Sequence, residues 1–269
     1  MKNAKIIAVM NQKGGVGKTT TVLNLGIGLA RRGKKVLLID ADSQGSLTVS
    51  LGMNDLENLP VSLAAIMYGN MMGQTRDPHI GIIRSREGVD FIPSNNDLFG
   101  VEVALNGAVN REYVLKGIVD VLKGEYDYIL IDCLPSLGLM VINALVAADS
   151  VIIPSHPAYL STRGLSQLFR TINKVKRTIN QQLMIGGILI TCADVHTRNA
   201  KEIIESLRET LGKRVRIFDT VIPRSVKVAE CSLMGKSIYR HNPSGKVAEA
   251  YEDLVDEVIE YGYETAEAD

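Results

Sequence analysis

Short apolar runs alternate along the chain with longer stretches in which apolar residues recur every three or four positions. Ile6 to Met10, Val36 to Asp40, Val89 to Pro93, Tyr128 to Asp132, Ser150 to Pro154, Met184 to Thr191 and Arg216 to Asp219 read as strands. Several are apolar throughout, which is the pattern of strands covered on both faces. Val22, Leu25, Gly26, Leu29 and Ala30 mark one helical stripe, and Leu254, Val255, Val258 and Ile259 another. The alternation predicts an α/β fold, a mostly parallel twisted sheet flanked by helices on both faces. With 269 residues, 46% of them hydrophobic, and with no Pro-, Gly- or Ser-rich linker and no internal repeat, residues 1–269 read as a single domain ending in a short acidic C-terminal tail. The stretch from Asn54 to Asn110 is the least regular, and its short apolar runs, such as Ile80 to Ile83, suggest an insertion carrying an edge hairpin.

Between the first strand and the first helical stripe lies Lys13-Gly14-Gly15-Val16-Gly17-Lys18-Thr19-Thr20. Glycines let the backbone curl with its N–H groups pointing inward, and a helix start adds unpaired donors and the positive end of its dipole. Strand, glycine turn and helix in that order form a phosphate cradle for a nucleoside triphosphate. Lys18 is placed to reach the β and γ phosphates and the Thr19 hydroxyl to ligate magnesium. The general phosphate loop has glycine where this chain has Gln12, and Lys13 follows at once. A second lysine at the loop mouth reads either as a solvated side chain or as a group that reaches phosphates bound by a partner subunit.

Acidic residues at strand ends complete the candidate chemistry. A carboxylate at the carboxyl edge of a parallel sheet faces the ligand crevice, so Asp132 is a candidate to hold magnesium, through water. Asp40 and Asp42 close another strand two residues apart and share a face in extended geometry. Both are therefore expected to reach the magnesium and γ-phosphate region, unless one merely caps a helix starting near Ser43.

The string KGGVGKTT resembles the deviant Walker A motif of the ParA/MinD/NifH group of ATPases, and the preceding Asn11-Gln12 resembles its ParA and Soj branch. VLLIDADSQG, from Val36 to Gly45, is similar to the second motif of that group, and YILIDCLPSLG, from Tyr128 to Gly138, to its Walker B region. Ile222-Pro223-Arg224 and GKVAEAY, from Gly245 to Tyr251, look like the ParA C-terminal half. The resemblance implies a deviant P-loop NTPase that binds ATP and Mg2+ and hydrolyses ATP weakly until a partner stimulates it. It implies an ATP-sandwiched homodimer in which Lys13 acts in trans. Asp42 would position the attacking water, with Asp40 nearer the metal, and Pro223 would lie against the base. Ser43 and Leu134 stand where the motifs usually carry proline, which bears on loop rigidity and removes no charge or ligand.

A net charge of zero conceals an asymmetry. From Arg163 to Lys246 there are 16 lysines and arginines against 6 acidic residues, a local net of +10, and from Val247 onward 9 acidic residues and no basic one. Such a block marks a local anion-binding face. Arg170, Lys174, Lys176 and Arg177 share one predicted helix, Lys213, Arg214 and Arg216 crowd a later turn and strand, and Arg198, Lys201, Arg224, Lys227, Lys236 and Arg240 join them if the fold brings them together. In ParA and Soj relatives comparable residues bind double-stranded DNA without sequence preference, and a ParB-type centromere-binding protein resets the dimer. Both partners are implied here by resemblance.

Other classes find less support. No apolar stretch is long enough for a membrane span, and no signal peptide is visible, so the chain is expected in the cytoplasm, associated with the nucleoid. A MinD-like membrane-cycling ATPase is the first alternative, yet the last helix carries Glu and Asp where an anionic membrane favours Lys and Arg. A ParA-like transcriptional regulator is the second. Three widely spaced cysteines, Cys133, Cys192 and Cys231, argue against a disulfide framework or zinc site, and Cys133 reads as a small buried thiol in place of a NifH-like cluster ligand. Tyr251, Tyr261 and Tyr263 are too few for the tail of a tyrosine kinase of the same superfamily.

Overall fold

The computed structural model describes residues 3–74, 76–157, 163–194 and 198–267. Among these residues eight strands form one sheet: β1 (Lys5–Val9), β2 (Val36–Ala41), β3 (Ile83–Arg84), β4 (Asp90–Ile92), β5 (Tyr128–Cys133), β6 (Ser150–Ser155), β7 (Met184–Ala193) and β8 (Ile217–Pro223). Their order is β3-β4-β2-β5-β1-β6-β7-β8. Every pairing is parallel except that of β3 with β4. The seven predicted strands are all present, and the edge hairpin suspected near Ile83 is the antiparallel β3–β4 pair, with Ile83 opposite Phe91. β2 and β5 are buried along their whole length, which explains why they read as unbroken apolar runs.

Helices cover both faces. One layer holds α3 (Leu63–Met71), α4 (Asp97–Ala104), α5 (Val114–Leu122), α6 (Leu139–Ala147), α7 (Arg163–Thr178) and α8 (Arg198–Leu211). The other holds α1 (Lys18–Arg31), α2 (Ser46–Ser50), α9 (Val226–Met234), α10 (Ile238–His241) and α11 (Lys246–Glu267). α5 shows how the pattern dictates the packing: Leu115, Ile118, Val119 and Leu122 recur at helical spacing and are the residues it buries. α1 and α11 lie close together because Gly28 has no side chain; a Cβ there would stand 2.5 Å from Val255 Cγ2 and 2.6 Å from Tyr239 Oη. Arg31–Glu252 and Arg32–Asp256 ion pairs flank that contact, so part of the acidic face of α11 serves α1. The acidic segment read as a short tail continues as helix through Glu267. Among the described residues no helix is long and apolar enough to cross a membrane.

The topology decides where chemistry can occur. β5 lies between β2 and β1, so the carboxyl ends of these three strands, with the β1–α1 loop, converge on one crevice. Asp132 sits level with Val9 on one side and with Asp40 on the other.

Candidate functional site

The β1–α1 loop is held open by two glycines in the left-handed region, Gly15 at φ 74° and Gly17 at φ 81°, the latter immediately preceding α1. Only glycine adopts this conformation without cost, and it turns the loop N–H groups toward one side. Two distant strands fix the loop. Thr191 Oγ1, near the end of β7, donates to the Val16 carbonyl at 2.7 Å, and Asn11 Nδ2 donates to the Pro154 carbonyl at 2.8 Å while its Oδ1 accepts from Lys13 N at 3.0 Å. The Val16 side chain is buried, so it offers the cradle only its backbone. Lys18 is buried at the helix start, and desolvation pulls its pKa below the ordinary lysine value against the opposing pull of Asp132 and Asp42. Its Nζ reaches the Lys13 carbonyl at 3.5 Å. Lys13 itself is exposed.

The three aspartates play different parts. Asp132 is fully buried, and among the described residues neither of its oxygens has a hydrogen-bond partner. Burial pushes its carboxyl well above the usual range and the Asp40 charge adds to this, while Thr19 and Lys18 draw it back. Asp40 is also fully buried, yet both of its oxygens are engaged: Oδ2 accepts from Thr48 N at 2.9 Å and Thr48 Oγ1 at 2.6 Å, and Oδ1 from Asp42 N at 3.2 Å. Burial raises its pKa to about 6. Asp40 thereby anchors α2 and the β2–α2 turn, a role the two-residue spacing did not reveal because Thr48 comes from a later helix. Asp42 is half-buried and its Oδ1 accepts from Gln44 N at 3.0 Å.

No group of three or more His, Cys, Asp or Glu among the described residues could cage a metal ion. Magnesium does not require one; it binds through one or two carboxylates with phosphates and waters. An orphaned carboxylate, Asp132, near the Thr19 hydroxyl at the foot of the cradle is a donor set that fits it.

Beside the loop opens a cleft of about 540 Å3, lined by Lys13, Gly14, Gly15, Gly17 and Thr20 on one side and by Cys192, Ile222, Pro223 and Arg224 on the other. Pro223 thus borders the same cleft as the glycine loop. The strand end from Thr191 to Ala193 was expected beside the base, and Thr191 and Cys192 line the cleft; His156 was not singled out from sequence, and Tyr251 was not read as a neighbour of the site. His156 follows a parallel strand at its carboxyl end, a position that flags it in retrospect. Tyr251 comes from α11, and nothing local announces it; its hydroxyl lies 3.4 Å from Thr21 Oγ1. Cys133 is buried and desolvation raises its thiol pKa, which disfavours the thiolate that an iron–sulfur ligand requires.

The basic block does not gather into one patch on the single chain. Arg170, Lys174 and Arg177 are exposed on α7, opposite its buried Leu168, Ile172 and Val175. Lys201 belongs to α8, and its side chain lies outside the described residues. Lys213 and Arg214 are exposed before β8, whereas Arg216 is turned onto α11, 3.6 Å from Glu257 with its guanidinium 4.3 Å from the Tyr261 ring. Arg224 follows β8 at its other end and lines the cleft, and Lys227 pairs with Glu230 at 2.9 Å. At about 3.3 Å per residue, β8 separates Arg216 from Arg224 by roughly 25 Å. A parallel strand carries neighbours in sequence to opposite ends of the sheet.

A glycine cradle with an early lysine, opening a helix at the carboxyl ends of parallel strands beside a buried partnerless carboxylate, defines a nucleotide-binding protein of the deviant P-loop class. Residues 4–185 match a family model described as an AAA domain. The chain is 42% identical to the sporulation initiation inhibitor protein Soj of Bacillus subtilis, over 96% of this chain and 99% of that protein. It is 37% identical to the chromosome partitioning protein ParA of Caulobacter vibrioides, over 95% and 94% respectively. Among solved structures, cobyrinic acid a,c-diamide synthase from Mycobacterium smegmatis with bound ADP and magnesium superimposes with a TM-score of 0.84 at 35% identity, covering 97% of this chain and 96% of that one. The chain belongs to the ParA/Soj family of chromosome-partitioning ATPases.

Proposed function

We propose that this chain is an ATP-dependent DNA-partitioning switch. ATP lies in the cleft with its phosphates on the loop from Gly14 to Thr20, Lys18 at the β and γ phosphates, and the base toward Pro223. Thr19 and Asp132, with Asp40 beside them, would hold magnesium, which would neutralise charge on the β and γ phosphates. Asp42 orients the attacking water, and the Asp40–Thr48 anchor fixes the turn that carries it. Two copies face each other across their nucleotides, each Lys13 reaching the phosphates of the other. The closed dimer holds double-stranded DNA without sequence preference through the basic surfaces, chiefly Arg170, Lys174 and Arg177, with Lys201, Lys213, Arg214, Arg216, Arg224 and Lys227 as further candidates. Dimerisation offers a way to place surfaces side by side that one chain keeps apart. A ParB-type centromere-binding protein stimulates hydrolysis, the dimer opens, and DNA is released, all in the cytoplasm at the nucleoid.

The observation that carries this reading is Lys13, exposed at the cleft mouth and anchored by Asn11, five positions from the buried Lys18. A phosphate site already holding one lysine gains little from a second in the same subunit unless a further anion arrives. The test is a DNA gel shift with ATP, ADP and a nonhydrolysable analogue across a salt series, beside sedimentation of wild type and Lys13→Ala. DNA retention should require ATP or its analogue and fall steeply with salt. Survival of both the ATP-dependent dimer and DNA retention in Lys13→Ala ends the bridging mechanism.

A further inference from the structure

Cys192 holds a backbone conformation that its side chain opposes. Its φ is 53°, and among the described residues Asn110 is the one other non-glycine in the left-handed region. Asparagine enters that region readily, whereas a cysteine there costs free energy and persists only where the surroundings demand it. The demand is visible in the pairing of β7 with β8. Ile190 lies opposite Val221 and Ala193 opposite Pro223, so Thr191 and Cys192 together stand against the single residue Ile222. Two residues against one make a β-bulge, and a left-handed residue is a recurrent way to form it.

The extra residue changes which side chains meet the phosphate loop. Along β7 the side chains alternate, Ile188 and Ile190 entering one core layer and Leu189 the other. Strict alternation would send Cys192 to the layer of Ile188 and Ala193 to the opposite one. Ala193 instead packs in the layer of Ile188 and Ile190, one position out of phase. The slip releases Cys192 from the core, and Thr191 and Cys192, neighbours in sequence, both line the cleft with Gly14 and Gly17. Thr191 donates to the Val16 carbonyl, and its Cβ lies 3.9 Å from where a Cβ on Gly17 would stand. Just past the bulge the Ala193 carbonyl accepts from Arg224 N at 3.0 Å, which holds the other wall of the cleft at Pro223 and Arg224.

We propose that Cys192 is a positioning residue for the phosphate loop, acting through its left-handed backbone and not through its thiol. The bulge it makes holds Thr191 on the loop and returns Ala193 to the core opposite Pro223, so one strained residue sets both walls of the cleft. A β7 without the bulge would shift Ala193 by one position and take the Thr191 anchor and the Arg224 hydrogen bond out of register together. Strain of this kind is kept where the geometry it enforces serves a site. The effect on the loop stands on the fold alone, while its consequence for affinity rests on the reading of the cleft as the ATP site.

Three replacements separate backbone from side chain. Cys192→Gly and Cys192→Asn keep the left-handed residue and remove the thiol, whereas Cys192→Val favours extended backbone. Titration of the full chain with a fluorescent ATP analogue and magnesium should give affinity within about twofold of wild type for the glycine and asparagine variants and a loss of about tenfold for valine. In the nucleotide-free chain, amide hydrogen exchange over residues 14–20 should quicken severalfold in Cys192→Val and stay at the wild-type rate in the other two. Thr191→Val combined with Cys192→Val should bind no more than about twofold weaker than Cys192→Val alone, because both act through the Val16 contact. Thermal melts verify each fold, and Cys192→Thr repeats the test with a second β-branched side chain should the valine chain not fold. Glycine and asparagine variants as weak as valine would give the role to the thiol, and a valine variant with unchanged affinity and loop exchange would show that the bulge needs no left-handed residue; either result overturns the proposal. Loop exchange that follows the expected pattern in a chain that binds no ATP upholds the positioning and overturns the nucleotide reading.

Discussion

Thr191 Oγ1 donates to the Val16 carbonyl at 2.7 Å, joining the end of β7 to the phosphate loop across 175 residues of sequence. The loop therefore takes its shape from the far half of the sheet as well as from its own glycines. Thr191→Val keeps the volume and removes the donor. It should cost about 1 kcal/mol of stability and weaken nucleotide affinity severalfold, as read by denaturant unfolding and titration with a fluorescent ATP analogue. Unchanged affinity would mean that the glycines alone set the cradle.

Among the described residues the buried Asp132 oxygens accept no hydrogen bond, and burial outweighs the pull of Thr19 and Lys18, an arrangement that opposes folding unless a further cation arrives. Asp132→Asn should raise the stability of the nucleotide-free chain by about 1 kcal/mol or more and abolish most of the gain that magnesium adds to ATP binding. Thermal melts with ATP, with and without magnesium, measure both effects. A variant destabilised without nucleotide and still responsive to magnesium would remove Asp132 from the metal site.

Thr48 stands between two buried polar groups, donating to Asp40 and accepting from Ser94 N at 2.9 Å. Thr48→Val leaves a carboxylate and an amide each one partner short, and should cost about 3 kcal/mol in urea unfolding. A loss well below 1 kcal/mol would show that the Asp40 anchor is dispensable.

Two glycine replacements should move in opposite directions. Gly28→Ala gains about 1 kcal/mol of helix propensity but meets Val255 and Tyr239 at 2.5 and 2.6 Å. Overpacking of this kind costs about 1 to 3 kcal/mol, so the net change is a loss. Gly117→Ala, in α5 with nothing within 4 Å, keeps the propensity gain. Denaturation midpoints that shift the same way for both would contradict the close α1–α11 contact.

His79 pairs with Asp77 and with Glu125, the latter at 2.7 Å, and these carboxylates raise its pKa above 6.5, Glu125 contributing most. The folded chain holds this proton more tightly than the unfolded one. The stabilisation is therefore complete below pH 6.5 and is lost as pH rises through the folded value. The site is largely exposed, so the effect stays below about 1 kcal/mol. The stability difference between wild type and His79→Ala should shrink from pH 5.5 to 8.5; a constant difference would assign His79 no charge in the fold.

Much of the site was legible because it is local. The phosphate loop follows its strand directly, and its glycines, lysines and threonines act within eight positions, so spacing alone assembles the cradle. Asp132 was legible for a related reason: a carboxylate closing an apolar strand has one place to go in a parallel sheet. Asp40 was legible only in part: its position resembles that of Asp132, while its partners, Thr48 and the turn at Asp42, lie in structure that spacing does not encode. The basic block was legible as a charge excess and not as a surface, since contiguity in sequence is not contiguity across a sheet crossed by β8.

By itself the sequence determined the alternation of strand and helix, the phosphate loop with its early lysine, and the carboxylates at the strand ends, because hydrophobic periodicity and backbone freedom act over a few residues. Only the tertiary structure decided which aspartate accepts no hydrogen bond among the described residues, which distant tyrosine borders the cleft, and how the basic residues divide. Those outcomes depend on which elements the strand order makes neighbours. That order is chosen by burying the whole apolar surface at once, a balance no single segment contains.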